Sequence, residues 1–175
     1  MGFAFRLAGA SLVMSACAYF AMHMSRTLER RKLELRKLYS ILLQLKSEIR
    51  YLGEPLPDCF RKMAVHAGTP FAEWLSGLAD RLQLWDGAQF DRVWLAGLSE
   101  LRTRSAMTQE DIEPLKELAD KLGITDAEAQ IKAIDYALLH IERNRTVLES
   151  EIGQKKKVIA TLSMFGGFMT LMLFL

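Results

Sequence analysis

The sequence predicts an all-α protein: a helical bundle in which a long antiparallel helix pair continues into an N-terminal and a C-terminal transmembrane helix. Two observations support this prediction. Uncharged apolar segments lie at both ends of the 175-residue chain, and a heptad pattern of apolar residues adjoins each of them. Between the two patterns, no segment alternates apolar and polar residues in the way that a half-buried strand does.

Both apolar ends are long enough to cross a membrane. Residues 7–24 and 158–175 each comprise 18 positions without a formal charge. A helix rises about 1.5 Å per residue, so each covers about 27 Å of a hydrocarbon core that is about 30 Å thick. We therefore predict transmembrane helices at 1–24 and 158–175, in contact with a lipid bilayer, and a central domain at 25–157.

A cleaved secretory signal is the alternative for the first segment. Arg6, the apolar run and the small residues "ACA" at 16–18 supply its three parts. However, the apolar run continues to residue 24, past any cut, and a cluster of basic residues that resists translocation follows it. An uncleaved anchor is the preferred interpretation.

Basic residues flank both segments on their inner sides. They are Arg26, Arg30, Arg31, Lys32, Arg36 and Lys37 after the first segment, and Lys155, Lys156 and Lys157 before the second. Because cytoplasmic flanks carry the excess of Lys and Arg, the central domain is predicted to be cytoplasmic. The whole chain is close to neutral, with 23 basic and 21 acidic residues, which does not favour a nucleic-acid partner.

Two apolar seams with alternating spacings of three and four predict long helices at 25–52 and 126–157. The first seam comprises Leu28, Arg31, Leu35, Leu38, Leu42, Leu45, Ile49 and Leu52, and the second comprises Ile131, Ile134, Leu138, Ile141, Arg145, Leu148 and Ile152. Gly53 and the following prolines end the first helix, and Thr125 with Glu128 forms a capping box for the second. One helix leaves the membrane and the other returns, so we expect them to pack antiparallel as a stalk.

An arginine interrupts each seam. If both helices rise equally from the membrane, facing residue numbers sum to about 181, from the flanks Met24 and Lys157. Arg31 then faces Glu149 or Glu151, and Arg145 faces Glu34. Two interpretations stay open: the arginines form ion pairs that set the register, or their long side chains reach a solvated edge.

The middle of the chain, residues 55–122, breaks into short helical segments separated by Gly, Pro and Asp, and is predicted to form a cap on the stalk. Large apolar residues can form its core. They are Phe60, Met63, Phe71, Trp74, Leu75, Leu78, Leu82, Trp85, Phe90, Trp94, Leu95, Leu98 and Leu101.

The sequence offers no catalytic equipment. "GQKKK" at 153–157 lacks the upstream glycine and the following hydroxyl of a phosphate-binding loop, and no arrangement of Ser, Cys, His and Asp indicates a nucleophile. Cys59 and His66 share a helical face, but two ligands do not make a zinc site. With Cys17, Cys59 cannot form a disulfide framework, which fits a reducing compartment. We expect no enzymatic activity, cofactor, metal or small-molecule substrate.

Three segments in order resemble the stage III sporulation protein AB family of endospore-forming bacteria. "LRKLYSILLQLKSEIRYLGEPLPDCFRKMA" is similar to the family's leucine-rich helix, Glu-Ile-x-Tyr and Pro-Leu-Pro, and "LGITDAEAQIKAI" to its Leu-Gly-x-x-Asp followed by Gln. "LSMFGGFMTLMLFL" resembles its last span, with Ser163 in place of an expected Gly. The resemblance covers essentially the whole chain.

The resemblance implies a function in sporulation. The family is similar to the cytoplasmic domain of the platform proteins of type II secretion, which couple an ATPase to a membrane machine. It implies a location in the mother-cell membrane facing the forespore, the outer forespore membrane, among other subunits of the channel complex. The implied partner is the sporulation ATPase, stage III sporulation protein AA. The motif residues that would contact it are Glu48, Tyr51, Pro55, Leu56, Pro57, Asp126 and Gln130.

Two other functions stay open at this point. A pore-forming or transport subunit would need many copies, because neither span carries an intramembrane charge. A homodimeric membrane-anchored coiled-coil tether would use the two seams between chains rather than within one chain.

The basic flanks generate a prediction on topology. A reporter that is active only outside the cytoplasm should be active when fused to the C-terminus, and inactive when inserted within residues 55–122. Reporter activity in both fusions is the measurement. The reverse pattern would contradict the cytoplasmic location of the central domain and, with it, contact with a cytoplasmic ATPase.

Overall fold

The computed structural model describes the backbone of residues 2–51, 53–84, 90–123 and 126–174, and within those ranges the side chains of Ser15, Tyr19 and residues 25–154. Over these residues the regular structure is helical, without strands, which confirms the all-α class. The seven helices are α1 (Gly2–Tyr51), α2 (Leu56–Ala67), α3 (Phe71–Leu84), α4 (Phe90–Arg104), α5 (Gln109–Lys116), α6 (Ala119–Leu122) and α7 (Ala127–Phe174).

The two predicted membrane spans fall within the first and last helices. Apart from Ser15 and Tyr19, the side chains of residues 7–24 and 158–175 lie outside the described residues. Among the residues that the structure describes, no helix meets the length and hydropathy required to cross a membrane. The transmembrane helices therefore stay a prediction.

The chain divides into two compact units. The first consists of residues 1–30 and 147–175, the outer parts of α1 and α7, and buries Leu148 and Ile152. The second consists of residues 31–146 and contains α2 to α6 with the inner parts of both long helices. The division into anchor, stalk and cap at residues 24, 52, 126 and 157 stays a prediction.

Within the second unit, α1 and α7 run antiparallel in the predicted register. The ammonium group of Lys46 pairs with the carboxylate of Asp135, two residues whose numbers add to 181. The guanidinium of Arg145 lies 5.7 Å from the ring centroid of Tyr39. Tyr39 precedes Lys46 in α1 whereas Arg145 follows Asp135 in α7, so the two helices run in opposite directions. The seam residues Leu35, Leu38, Leu42, Leu45, Ile134, Leu138 and Ile141 are all buried.

The short helices pack as a series, α2 on α3, α3 on α4, and α4 on α5 and α6. Trp94 lies at their centre, with ring centroids 6.1 Å from Phe60, 5.3 Å from Trp74 and 5.8 Å from Phe90. A Cβ atom on Gly97 would lie 2.9 Å from Leu78 Cδ2 and 3.1 Å from Trp74 Nε1. The absence of a side chain at Gly97 therefore permits the close approach of α3 and α4.

The predicted core is confirmed for most of its members and is wrong for Leu95. Phe60, Met63, Phe71, Trp74, Leu75, Leu78, Leu82, Phe90, Trp94, Leu98 and Leu101 are buried. Leu95 is 42% exposed, because it follows Trp94 directly in α4 and so lies about 100° around the helix from it, at the edge of the buried face. Trp85 lies outside the described residues.

Two adjacent leucines of α1 provide a test of the seam. Leu42 is 0% exposed and Leu43 is 44% exposed. Replacing Leu42 with Ala should lower the free energy of unfolding by about 2–5 kcal/mol, because a cavity forms in the core. Leu43→Ala, the matched control, should change it by less than about 0.5 kcal/mol. Urea unfolding of the full chain, followed by tryptophan fluorescence, measures both values, and equal effects would contradict the buried seam.

Candidate functional site

Five of the residues that the resemblance indicates lie where α1 turns into α2. Gly53 follows α1 with a φ of 59°, a conformation that favours glycine, and its N–H donates to the carbonyl oxygen of Glu48 over 3.3 Å. Pro55 occupies the N-cap of α2, and its carbonyl accepts the N–H groups of Asp58 at 3.0 Å and Cys59 at 3.2 Å. Leu56 and Pro57 are the first two residues of α2 and are both half-buried. The missing N–H of Pro57 leaves no donor unsatisfied there.

The side chains at this corner combine exposed and buried polar groups. Tyr51, the last residue of α1, is 76% exposed. The half-buried Glu48 has one carboxylate oxygen, Oε2, that is shielded from solvent and has no hydrogen-bond partner. Both oxygens of Glu54 accept hydrogen bonds from Lys62, at 2.7 and 2.6 Å. The corner therefore presents a large aromatic ring beside carboxylates, one of which is already neutralised.

Cys59 lies beneath this corner, close to two glutamates. Its sulfur and one carboxylate oxygen each from Glu48 and Glu54 lie within 4.8 Å of one another. Burial, reinforced by the charges of Glu48 and Glu54, raises the pKa of the Cys59 thiol, so the thiol is protonated at neutral pH. His66, which the sequence analysis considered as its partner ligand, is exposed in the last turn of α2 and outside this group.

The other two residues lie at the start of α7. Asp126 precedes the helix and acts as its N-cap, because its Oδ1 accepts the N–H of Glu128 at 3.0 Å. Its carbonyl accepts the N–H of Gln130 at 3.2 Å. The side-chain amide of Gln130 donates to the carbonyl of Leu122, the last residue of α6, over 2.8 Å. The predicted cap, Thr125, lies outside the described residues.

The structure thus distributes the seven residues over two corners. The 181 register places Tyr51 and Gln130 at the same height, so both corners lie at one end of the helix pair. Pro55, Asp126 and Gln130 make local hydrogen bonds that shape turns. Local structure does not account for the high exposure of the Tyr51 ring or for the unpaired carboxylate oxygen of Glu48.

A polar network that the sequence patterns did not predict joins α1, α5 and α7. Its centre is Asp111, which is 0% exposed. Arg31 donates to both carboxylate oxygens, from Nε to Oδ2 at 2.7 Å and from Nη2 to Oδ1 at 2.9 Å. Thr108 donates to Oδ2 from its backbone N–H at 2.9 Å and from its hydroxyl at 3.0 Å. Asn144 donates to Oδ1 at 3.2 Å.

These contacts bear on the predictions for the two seam arginines, and the pairing of Arg31 with Glu149 or Glu151 stays a prediction. Arg31 forms an ion pair with Asp111 of α5, and its side chain is only 15% exposed. The predicted pairing of Arg145 with Glu34 is wrong. Arg145 pairs with Glu142 at 2.5 Å, one turn earlier in α7, whereas Glu34 accepts the backbone N–H of Ala106 at 2.6 Å. Arg31 and Glu34 of α1 thus contact Asp111 and Ala106 of the short-helix region, which the sum rule did not consider.

Part of the network was visible in the sequence. Thr108 followed three residues later by an acidic residue is the spacing of a capping box, and Asp111 does accept the Thr108 backbone N–H. The partners in α1 and α7 are 80 and 33 positions away, and no local pattern indicates them.

The geometry defines a class of protein: a small helical domain that the chain enters and leaves through two long helices, with polar corners at one end of the helix pair. Comparison with known proteins places the chain more closely. The family model of stage III sporulation protein AB matches residues 6–175, and the chain belongs to this family. The recognition made from the motifs is confirmed.

Two relatives support this assignment. Stage III sporulation protein AB of Bacillus subtilis (strain 168) is 26% identical over 169 residues, which cover 96% of this chain and 98% of the relative. A solved structure of a stage III sporulation protein AB is similar, with a TM-score of 0.64 and 26% identity, over 71% of this chain and 97% of that one. The chain is therefore a member of a sporulation family that is not a known enzyme family.

The Asp111 network generates a prediction on stability. Asp111→Ala removes the acceptor for five hydrogen bonds and leaves the largely buried Arg31 guanidinium without this partner. Breaking one side of a buried ion pair costs about 3–5 kcal/mol, so the free energy of unfolding should fall by that amount.

The neighbouring exposed Glu110 provides the control, because Glu110→Ala should change the free energy of unfolding by less than about 0.5 kcal/mol. The apolar double variant Arg31→Met/Asp111→Leu should recover much of the loss, since neither charge is then left buried. Urea unfolding measures all three, and an Asp111→Ala effect no larger than that of the control would contradict the role of the network.

Proposed function

We propose that the chain is a non-enzymatic membrane platform protein of the sporulating mother cell. In this proposal its central domain is cytoplasmic and couples a cytoplasmic ATPase to a secretion-like channel complex between mother cell and forespore. The observation that carries the proposal is the arrangement of the family fold: a compact helical domain is held between two long helices whose outer ends are apolar in sequence.

The membrane location is supported by the sequence of the two ends. Residues 7–24 and 158–175 lack formal charges, and lysines and arginines follow the first and precede the second. Such flanks favour a cytoplasmic domain between two spans. In the proposed function the protein lies in the outer forespore membrane, with the lipid bilayer around its ends.

The domain itself supports an adaptor role through the corner at α1 and α2. An open groove at the start of α2 is lined by Glu54, Asp58, Arg61 and Lys62. Tyr and Arg are enriched among the residues that contribute most to protein interfaces. We assign this corner to the ATPase, stage III sporulation protein AA, and leave the rest of the domain for other channel subunits.

The groove carries both signs of charge. Arg61 donates to Asp80 at 3.2 Å and to Gln83 at 2.9 Å in α3, and Lys62 pairs with Glu54. These pairs are solvent-exposed, so they contribute little to stability and can exchange partners when another protein binds. The proposal therefore expects a partner surface on which acidic and basic groups alternate.

The burial of the seams argues for this platform role over a homodimeric tether. A coiled-coil tether would need the seams free for a second chain, whereas Leu38, Leu42 and Ile141 are fully buried within one chain.

Co-purification tests the proposal. The full chain should bind its cognate ATPase when the two are co-expressed, and Arg61→Glu/Lys62→Glu should weaken that binding at least about tenfold by reversing charge at the groove. Helicity should be unchanged, because the pairs that are lost are exposed. The amount of ATPase retained on the tagged chain is the measurement.

A matched control is Arg81→Glu/Lys116→Glu, which breaks two ion pairs elsewhere in the domain, with Glu100 and Glu113. It should leave ATPase binding unchanged. If the wild-type pair never associates, with ATP present and both ends of the chain intact, the coupling function is wrong.

A further inference from the structure

An exposed apolar patch lies on the long helices, away from the two corners. Leu139 of α7 is 69% exposed, and Leu43 of α1 and Tyr136 of α7 are each 44% exposed. Single exposed leucines are ordinary on protein surfaces. The three matter here because the helix register brings them to one place.

The Lys46–Asp135 ion pair fixes that register. It bridges α1 and α7 on their solvent side, since the two side chains are 23% and 49% exposed. Leu43 lies three residues before Lys46, and Leu139 lies four residues after Asp135, so each is on the same helix face as its end of the bridge. Because the helices are antiparallel, both steps lead to the same height. Leu43 and Leu139 therefore flank one groove, which we call the outer groove.

Basic residues lie beyond the apolar centre of the outer groove in both directions. Arg50 and Lys132 are exposed at one end, at register-matched heights, and Arg36 and Arg143 are exposed at the other. The acidic residues nearby have partners in the same chain, because Asp135 pairs with Lys46, Glu142 pairs with Arg145, and Glu128 lies 4.0 Å from Lys132. The last pair leaves Arg50 as the main positive charge at its end of the groove. The groove is thus apolar in the middle and positively charged at both ends.

This charge pattern distinguishes between two possible occupants of the groove, a second copy of the chain and a helix of another protein. In a twofold pairing of two copies through the groove, the same arginines and Lys132 would face one another, and like charges across an interface are unfavourable. A groove between two packed helices instead has the shape that receives a third helix. The positive ends require that this helix be acidic.

We propose that the outer groove binds an acidic amphipathic helix of another protein. Arg36 and Arg50 are 14 positions apart in sequence, which is about 21 Å along a helix, so the bound segment spans about four turns. Its apolar residues would pack on Leu43, Tyr136 and Leu139, and its carboxylates would pair with the basic ends. The preference for a protein over an anionic lipid surface rests on the proposed function, in which the long helices lead away from the bilayer.

A designed peptide tests the groove directly. The probe is a fluorescein-labelled helix of about three heptads, with Leu at the seam positions and Glu elsewhere. Its fluorescence anisotropy is followed on titration with the full chain in detergent. Saturable binding that weakens with added salt is expected. Leu43→Ala/Leu139→Ala and Arg50→Glu/Arg143→Glu should each raise the dissociation constant at least about tenfold.

Matched controls distinguish binding at the groove from nonspecific binding of the peptide. Val65→Ala/Leu95→Ala, which removes two exposed apolar side chains of α2 and α4, should bind the peptide as the wild type does. A peptide with Lys in place of Glu should not bind. Co-purified ATPase should be unaffected by the groove variants, so a failure here and a failure of the proposed function are distinguishable.

Four outcomes would overturn the proposal. They are equal binding by the groove variants and the wild type, equal binding of the Lys peptide, self-association of the chain that the groove variants abolish, and displacement of the acidic peptide by vesicles of anionic phospholipid. The third would assign the groove to a second copy, and the fourth to a lipid surface.

Discussion

The buried carboxylate of Asp111 is the interaction on which the arrangement of the second unit depends. The α5 helix has only 8 residues and contains Pro114, so it is too short to be stable alone. Arg31 and Asn144 hold its first turn against both long helices, and Leu115 connects its last turn to the aromatic core through the Trp94 indole N–H, at 2.7 Å. A continuous path of contacts thus runs from the two long helices through α5 to the centre of the short helices.

The sequence predicted those features of the fold that depend on local pattern. The helical class, the end of α1 near Gly53 and the antiparallel register follow from apolar spacing, turn residues and charge at the apolar ends, and all three are confirmed. The predicted pairing of Arg145 with Glu34 is wrong because the sum rule considers only the two long helices. In the structure the carboxylate of Glu34 accepts the backbone N–H of Ala106, in the segment after α4. Leu95 was misplaced because a list of large apolar residues does not separate the two faces of α4.

The candidate site shows the same division between local and distant effects. Sequence motifs identified Pro55 and Asp126, and the structure gives both a local capping role. Motifs cannot distinguish a residue that shapes a turn from one that meets a partner, because that depends on exposure after folding. Tyr51 is separated from the capping residues by its exposure, and Glu48 by an unpaired oxygen. Likewise, the sequence around Asp111 predicts only a helix cap. Its partner Arg31 is 80 positions away and is brought to it by folding.

The open outer groove is a consequence of where the Asp111 network places the short helices. Contacts from Arg31 to Asp111, from Glu34 to Ala106 and from Asn144 to the carbonyl of Glu110 all lead from the long helices to one side. The opposite side, which carries Leu43 and Leu139, is left in solvent. Two antiparallel helices covered on one side have room for one more helix on the other, and the basic residues at the groove ends select its charge. The asymmetry that holds the domain together therefore also leaves a second surface, distinct from the α1–α2 corner, exposed to solvent.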